Sequence, residues 1–310
     1  MENKQPLVSV LMLTYNHGGY IAQALDSVLM QKVKFDYEIV IGDDCSPDNT
    51  STILLKYKEQ YPEKIKMILR KKNIGATKNF VDVLKQCTGK YIANLEGDDY
   101  WTDENKLQIQ VDFLEKSPEY SACFHSANII DENEKITDTI PKILSKDINS
   151  LDEFFSTTYC LPTASVVYRK FQVSSAIEKL LLTGNYISDY IIDSINISKG
   201  KMKFINRNMS VYRQIYTNNS YSSVDCRKSI QEAINVVTAV NIFFSFKYDE
   251  LLKKRIRELN FHYLGYCTIK MAINDFLEFY KKNLSFNEKL LFWVYFLKKI
   301  IEKIYKSVFR

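Results

Sequence analysis

Four short apolar runs punctuate the first hundred residues, at 7–13, 37–41, 65–69 and 91–95, and each breaks off into a polar turn. Their length and β-branched content predict buried strands. Between them apolar positions recur at helical spacing. Ile21, Ala24, Leu25, Val28 and Leu29 follow the first run, Ile53, Leu54 and Tyr57 the second, and Phe80, Val83 and Leu84 the third. Strand and helix alternating every ~25–30 residues predict an α/β fold with an open, doubly wound, mostly parallel sheet. The polar turns at 14–19, 42–48, 73–75 and 96–99 all follow strands. In such a sheet they meet at the carboxyl edge, where a nucleotide sits in a Rossmann-like half. Thr102 is predicted to cap an amphipathic helix through Leu107, Val111 and Leu114 that stops before Pro118.

From about residue 120 the pattern changes. Strand-like pieces at 121–124, 164–168 and 203–205 alternate with acidic loops. After about residue 225 the spacing is almost entirely helical, over 230–246, 248–260 and from 270 onward. The expected organisation is a domain over 1–222, with halves 1–118 and 119–222, and a helical C-terminal region over 223–310. No internal repeat or low-complexity linker is visible.

Composition adds little to the fold, with 46% apolar and 25% charged residues. The charge distribution adds more. Residues 281–310 carry eight Lys or Arg against two Glu, so 8 − 2 = +6 of the net +5 lies there and the first 280 residues sum to −1. A basic tail on a nearly neutral body argues against a nucleic-acid-binding protein. In the tail, Leu290, Leu291, Phe292, Trp293, Tyr295, Phe296, Ile300, Ile301 and Ile304 are interleaved with lysines. That pattern fits a basic amphipathic helix on an anionic membrane surface. A helix packed on the protein or on a sister subunit has the same pattern. The start lacks a charged stretch leading into an apolar core, and no apolar run approaches the ~20 residues of a membrane span. Six scattered cysteines without a C-x-x-C pair read as reduced thiols rather than a disulfide framework or zinc site. The expected location is cytoplasmic, peripheral at the inner face of the cell membrane.

The densest chemistry lies at 94–101, N-L-E-G-D-D-Y-W. Glu96, Asp98 and Asp99 crowd into four positions directly after an apolar run. Side by side and without a partner they repel one another and lose hydration. A divalent cation removes both penalties, because hard oxygen ligands suit Mg²⁺ or Mn²⁺. A solvated acidic turn is the plainer alternative.

V-S-V-L-M-L-T-Y-N (8–16), A-L-D-S-V-L-M-Q (24–31), I-G-D-D-C-S-P-D-N-T (41–50), G-K-Y-I-A-N-L-E-G-D-D-Y-W (89–101) and K-L-Q-I-Q-V-D-F-L-E (106–115) together resemble family 2 glycosyltransferases of the bacterial surface-polysaccharide type. The match is dense over 7–120 and thinner to about 222; the stretch 225–310 carries none. The resemblance implies the GT-A fold with a C-terminal helical extension. It also implies an inverting, metal-dependent hexosyl or N-acetylhexosaminyl transfer from a nucleotide-sugar, with UDP-sugar expected, to a glycan or lipid-linked acceptor.

The resemblance places Glu96, Asp98 and Asp99 at the family's D-x-D signature. Asp98 is then the expected metal ligand, with Mn²⁺ or Mg²⁺ as cofactor, Glu96 suits a ribose hydroxyl, and Asp99 lies close to the diphosphate or acceptor. Thr14, Tyr15 and Asn16 would cup the uracil, and a flat ring such as Tyr15 can stack on a base; a core aromatic is the alternative. Asp43 or Asp44 would accept the uracil N3 hydrogen, or else cap a helix together with Ser46. Asn73 and Lys78 belong to the third loop, where a lysine can offset diphosphate charge without the fork of an arginine; a solvated helix lysine is equally expected. Asp189 matches the family's general base, which must take a proton from the acceptor hydroxyl. Its alternatives are a helix cap and the rival acid Asp193. Trp101, Thr163 and Arg213 are the expected acceptor contacts. Relatives carry a His two positions after the Tyr-Arg pair and a Gly near the end of the following loop; Ile215 and Asn219 stand there instead. His17, His125 and His262 remain, with His125 expected either in the core or at the acceptor site. A nucleotidyltransferase would need a basic, Gly-rich triphosphate loop after the first strand, and 14–19 has no Lys or Arg. A non-catalytic, membrane-associated family member is the third reading.

Overall fold

Nine strands form one continuous sheet in a computed structural model that describes residues 5–141, 146–156, 161–184, 188–214, 226–269 and 289. The first stretch alternates β1 (Val8–Thr14), α1 (Ile21–Leu29), β2 (Tyr37–Asp43), α2 (Thr50–Gln60), β3 (Ile65–Leu69), α3 (Ala76–Gln86) and β4 (Tyr91–Glu96). The four strands lie in the order β3-β2-β1-β4, all parallel. β1 is buried at every position, as expected for a strand covered on both faces. Val8, Val10 and Met12 meet Ile21, Ala24, Leu25 and Val28 of α1 in the main core. The apolar runs and the helical spacing therefore did specify the same layers, and the four polar turns do share one edge.

The sheet continues as β8-β6-β9-β5, with β7 beside β6. These are β5 (Tyr100–Trp101), β6 (Tyr120–Ile130), β7 (Ile136–Ile140), β8 (Val167–Arg169) and β9 (Lys201–Arg213). β4 pairs antiparallel with β8, while the long β6 and β9 pair in parallel. Between them run α4 (Lys106–Lys116), α5 (Leu151–Ser156), α6 (Ser175–Leu181) and α7 (Ser188–Lys199). The long ladders are parallel, and the short antiparallel ones confine mixed pairing to the second half.

Three expectations change here. Thr102 does not cap α4: its N–H is held by the Met209 carbonyl at 3.0 Å, which extends the β5–β9 pairing, and the helix starts at Lys106. The piece at 164–168 divides into a 3-10 turn, Thr163–Ser165, and β8. The exposed strand β7 has no apolar face and gave no signal in the sequence.

The chain divides into two compact units, Met1–Ser223 and Val224–Arg310. In the second, α8 (Cys226–Phe243) and α9 (Asp249–Ile269) are joined through Ser245 and Phe246 at positive φ of 52° and 59°. Among the described residues no helix is long and apolar enough to cross a membrane. The basic tail expected at a membrane surface lies outside the described residues.

Candidate active site

The carboxyl edge of β1, β2 and β4 is built as a set of interlocking loops. After β1 the chain turns through Asn16 at φ 61°, and after β2 through Cys45 at φ 65°. Left-handed backbone is uncommon for residues other than glycine and collects at functional loops. The second loop holds the first by its backbone. Ser46 Oγ accepts the Asn16 N–H at 2.9 Å, Thr50 Oγ1 that of His17 at 3.0 Å, and Asp48 Oδ2 that of Gly18 at 2.7 Å. Burial raises the Asp48 pKa, but hydrogen bonds from Thr50 and Gly18 outweigh it and hold the carboxyl below its usual range. Tyr15 is half-exposed in this loop, where its ring is available to a ligand.

Asp43 and Asp44 are buried and already engaged. Asp43 accepts the Ser46 N–H at 3.3 Å and the hydroxyls of Ser46 and Ser51. The two oxygens of Asp44 accept the Ile74 and Gly75 N–H groups, each at 2.8 Å, so Asp44 anchors the third loop. Asn73 lies exposed in that loop with its Oδ1 on the Gly75 N–H at 3.1 Å. Lys78 is on the solvent face of α3. The cation beside the acidic loop is instead Arg70, which follows β3 directly. Its Nε lies 4.0 Å from Asp44 Oδ1 and donates to Asn79 Oδ1 at 3.1 Å, and its Nη2 lies 3.0 Å from Asp82. Applying the strand-end rule to the third strand as strictly as to the others would have found it.

The turn after β4 is tied to β1 by the Gly97 N–H on the Leu13 carbonyl at 2.8 Å. A Cβ on Gly97 would stand 2.7 Å from Thr14 Oγ1 and 2.9 Å from His17 Nδ1, so only glycine lets the two loops close. Both of those polar atoms are buried without a hydrogen-bond partner. Burial, then the charges of Asp98 and Asp189, push the Glu96 pKa up to about 8. Burial and then Asp98 raise that of Asp99 well above the carboxylate range, although Asp99 Oδ1 accepts the Arg213 N–H at 2.9 Å. Asp98 is half-buried, with His17 Nε2 3.7 Å from its Oδ2.

Crowded carboxyls and orphaned buried polar atoms fit a divalent cation. Among the described residues no three of His, Cys, Asp and Glu converge on one point. That suits an ion that takes one or two protein carboxylates and completes its shell from phosphates and water.

Asp189 lies in the first turn of α7, and its charge reaches Glu96 across the site. It is half-buried and burial raises its pKa. The helix is held in place by Tyr190, whose ring stacks on Phe154 of α5 with centroids 5.2 Å apart. Asp193, one turn on, is 7% exposed, with its pKa raised well above the carboxylate range by burial and by Asp189. Asp189 is therefore the more accessible acid.

Two expected acceptor contacts have interior positions. Trp101 is 1% exposed and its indole N–H donates to the Ala164 carbonyl at 2.9 Å. It braces the 3-10 turn that carries the half-buried Thr163. The Arg213 guanidinium lies between the rings of Tyr20 and Tyr100, at 5.0 and 5.2 Å, with Glu134 at 3.3 Å and Gln23 hydrogen-bonded. Both side chains are buried and hydrogen-bonded within the protein. The positions Ile215 and Asn219 lie outside the described residues.

The family model "Glycosyl transferase family 2" matches residues 9–172, and the chain belongs to this family. The fold is GT-A, as expected from the resemblance. An uncharacterized glycosyltransferase of Nostoc sp. is 32% identical over 231 residues, 73% of this chain and 70% of its own. An uncharacterized protein of Mycobacterium tuberculosis is 39% identical over 163 residues, 53% of this chain and 47% of its own. The chain thus spans about half the length of the mycobacterial relatives it matches. The Escherichia coli UDP-Glc:alpha-D-GlcNAc-diphosphoundecaprenol beta-1,3-glucosyltransferase WfgD is 32% identical over 127 residues, 41% of this chain and 48% of its own. Among solved structures, S. aureus TarS in complex with UDP aligns with a TM-score of 0.55 at 18% identity, over 76% of this chain and 65% of that one. The mannosyltransferase PcManGT of Pyrobaculum calidifontis, in complex with GDP-Man and Mn²⁺, also gives 0.55 at 15% identity, over 98% and 83%.

Proposed function

We propose that this chain is an inverting glycosyltransferase that moves a sugar from a UDP-sugar to a hydroxyl of a glycan or lipid-linked acceptor in surface-polysaccharide synthesis. The observation that supports the reading is the half-buried Asp189 in the first turn of α7 together with the open carboxylates after β4, where burial, then Asp98 and Asp189, push the Glu96 pKa up to about 8. In this reading the donor's diphosphate lies at Asp98 and its base at Tyr15. Asp189 takes the proton of the acceptor hydroxyl as that oxygen attacks C1, and UDP leaves from the opposite face. One displacement inverts the anomeric centre. Mn²⁺ or Mg²⁺, held by Asp98, supplies charge stabilisation of the leaving diphosphate when bound. Raised carboxyl pKa values in an acidic cleft are common at such sites. The UDP donor and lipid-linked acceptor in the name of WfgD, and the UDP bound to TarS, support the choice of donor and acceptor class.

Purified protein with Mn²⁺ is expected to release UDP from one member of a UDP-sugar panel, fastest with a diphospholipid-linked acceptor. A thermal-shift screen identifies that donor, since ligand binding to the native state raises the unfolding midpoint. Release of pyrophosphate from a nucleoside triphosphate incubated with a sugar 1-phosphate would instead identify a nucleotidyltransferase.

A further inference from the structure

We infer that His17, in the loop after β1, supplies the imidazole ligand of the divalent cation held by Asp98. The inference rests on the transferase reading of the same site. It gives the site an imidazole that the position two residues after Arg213, Ile215, does not supply.

His17 Nε2 and Asp98 Oδ2 are 3.7 Å apart. That is too long for a hydrogen bond. It is about the separation of two donors on one small divalent ion, roughly 3–4 Å when each bond is about 2.0–2.2 Å. The ring is not placed by chance. The backbone of His17 is fixed by Thr50 Oγ1 at 3.0 Å, and the ring edge carrying Nδ1 is packed over Gly97. Nδ1 has no partner, and neither does Thr14 Oγ1, although both lie within 3 Å of the point a Gly97 Cβ would take, at 2.9 and 2.7 Å. A ligating imidazole commonly donates its second ring N–H to a neighbouring acceptor, which fixes tautomer and orientation. Thr14 Oγ1, the other unpartnered atom beside Gly97, is the candidate acceptor once the ion is bound. Gly97 therefore serves two ends: it turns the chain toward Asp98 and leaves room for the ring that faces Asp98. His125 cannot serve, because it is 0% exposed in β6.

The test titrates Mn²⁺ into the full-length protein, alone and with UDP, by calorimetry. The loaded protein is then read by electron spin echo envelope modulation, which reports nitrogen bound to the ion. Wild type with UDP is expected to show nitrogen modulation. His17→Gln is expected to lose it and to bind Mn²⁺ at least about tenfold more weakly, with an unchanged metal-free unfolding midpoint. His17→Asn is the second variant should the first unfold. Modulation that persists in both variants, or a Mn²⁺ affinity within twofold of wild type, overturns the assignment while leaving the transferase reading intact. Failure of wild type to bind UDP with Mn²⁺ sinks the transferase reading as well.

Discussion

Two acidic loops leave the sheet on either side of β1, and their carboxylates are treated in opposite ways. After β2, Asp43, Asp44 and Asp48 accept hydrogen bonds from Ser46, Ser51, Ile74, Gly75, Gly18 and Thr50. After β4, Asp99 accepts one backbone N–H, and among the described residues Glu96 and Asp98 accept none. Both loops are acidic and both follow a buried strand. A carboxylate whose lone pairs are filled by the chain is part of the scaffold. One whose lone pairs the chain leaves open can take a ligand. Under the proposed function, the first loop would shape the nucleotide cradle and the second would hold the reacting groups.

The contrast can be broken most directly at its reactive end. Asp98→Asn and Asp189→Asn are each expected to lower UDP release by about 10²–10⁴-fold. The metal-free unfolding free energy should stay equal or rise, because each change relieves crowded charge. A loss below tenfold at either position removes it from the chemistry. Next in size is Asp44→Ala. It strands the Ile74 N–H, leaves the Gly75 N–H to Asn73 alone, and is expected to cost about 1–2 kcal/mol in urea unfolding. A cost below about 0.5 kcal/mol would move Asp44 from scaffold to ligand contact.

Lys106 sharpens the comparison with a charge of the other sign. It is buried over the Trp101 ring at 4.2 Å and donates to Gln110 Oε1 at 2.7 Å. Burial lowers its pKa to about 7. Its other titratable neighbours are Cys123, whose thiol is pushed up to about 12 by burial, and His125, pushed well below its ordinary value. The unfolded chain keeps this lysine protonated up to about pH 10.4. Between pH 7 and 10 the unfolded state therefore binds the extra proton, and stability from this residue rises with pH by about 1.4 kcal/mol per unit. Below pH 7 both states are protonated and its full penalty persists. Lys106→Met should flatten that rise relative to wild type in denaturation curves at pH 7, 8 and 9. The smallest effect is expected at Lys78. Lys78→Ala should change stability by less than about 0.5 kcal/mol and turnover by less than twofold, whereas Arg70→Ala should lower both measurably.

The four parallel strands were legible because apolar runs of this kind have one common solution, a strand buried on both faces. That Glu96, Asp98 and Asp99 fall at the end of a buried strand was legible because an apolar run leads directly into them, while the roles given to them and to Asp189 rest on the resemblance. Other features were not, for identifiable reasons. Thr102 has the chemistry of a cap, but its N–H is claimed by Met209, more than a hundred residues away in the sequence. Trp101 and Arg213 look like ligand contacts by type; only the fold shows their polar atoms turned to Ala164 and Gln23. His17 was visible in the first loop, but nothing local pairs it with Asp98. That pairing comes from the register of β1 with β4, which sets Leu13 against Glu96.

The clasp at Arg213 bears on how the polypeptide can be divided. This last residue of β9 reaches Gln23 on α1, Tyr20 ahead of it and the carboxyl of Asp99, while β9 pairs along almost the whole of β6. The family match over 9–172 stops short of that strand. A fragment ending there would leave one long edge of β6 unpaired, a template for association with other chains. Family membership is carried by the first half, but folding is a property of the whole unit. The early and late parts of the chain are thus expected to acquire structure together, and complementation by two separately expressed pieces should restore solubility that neither has alone.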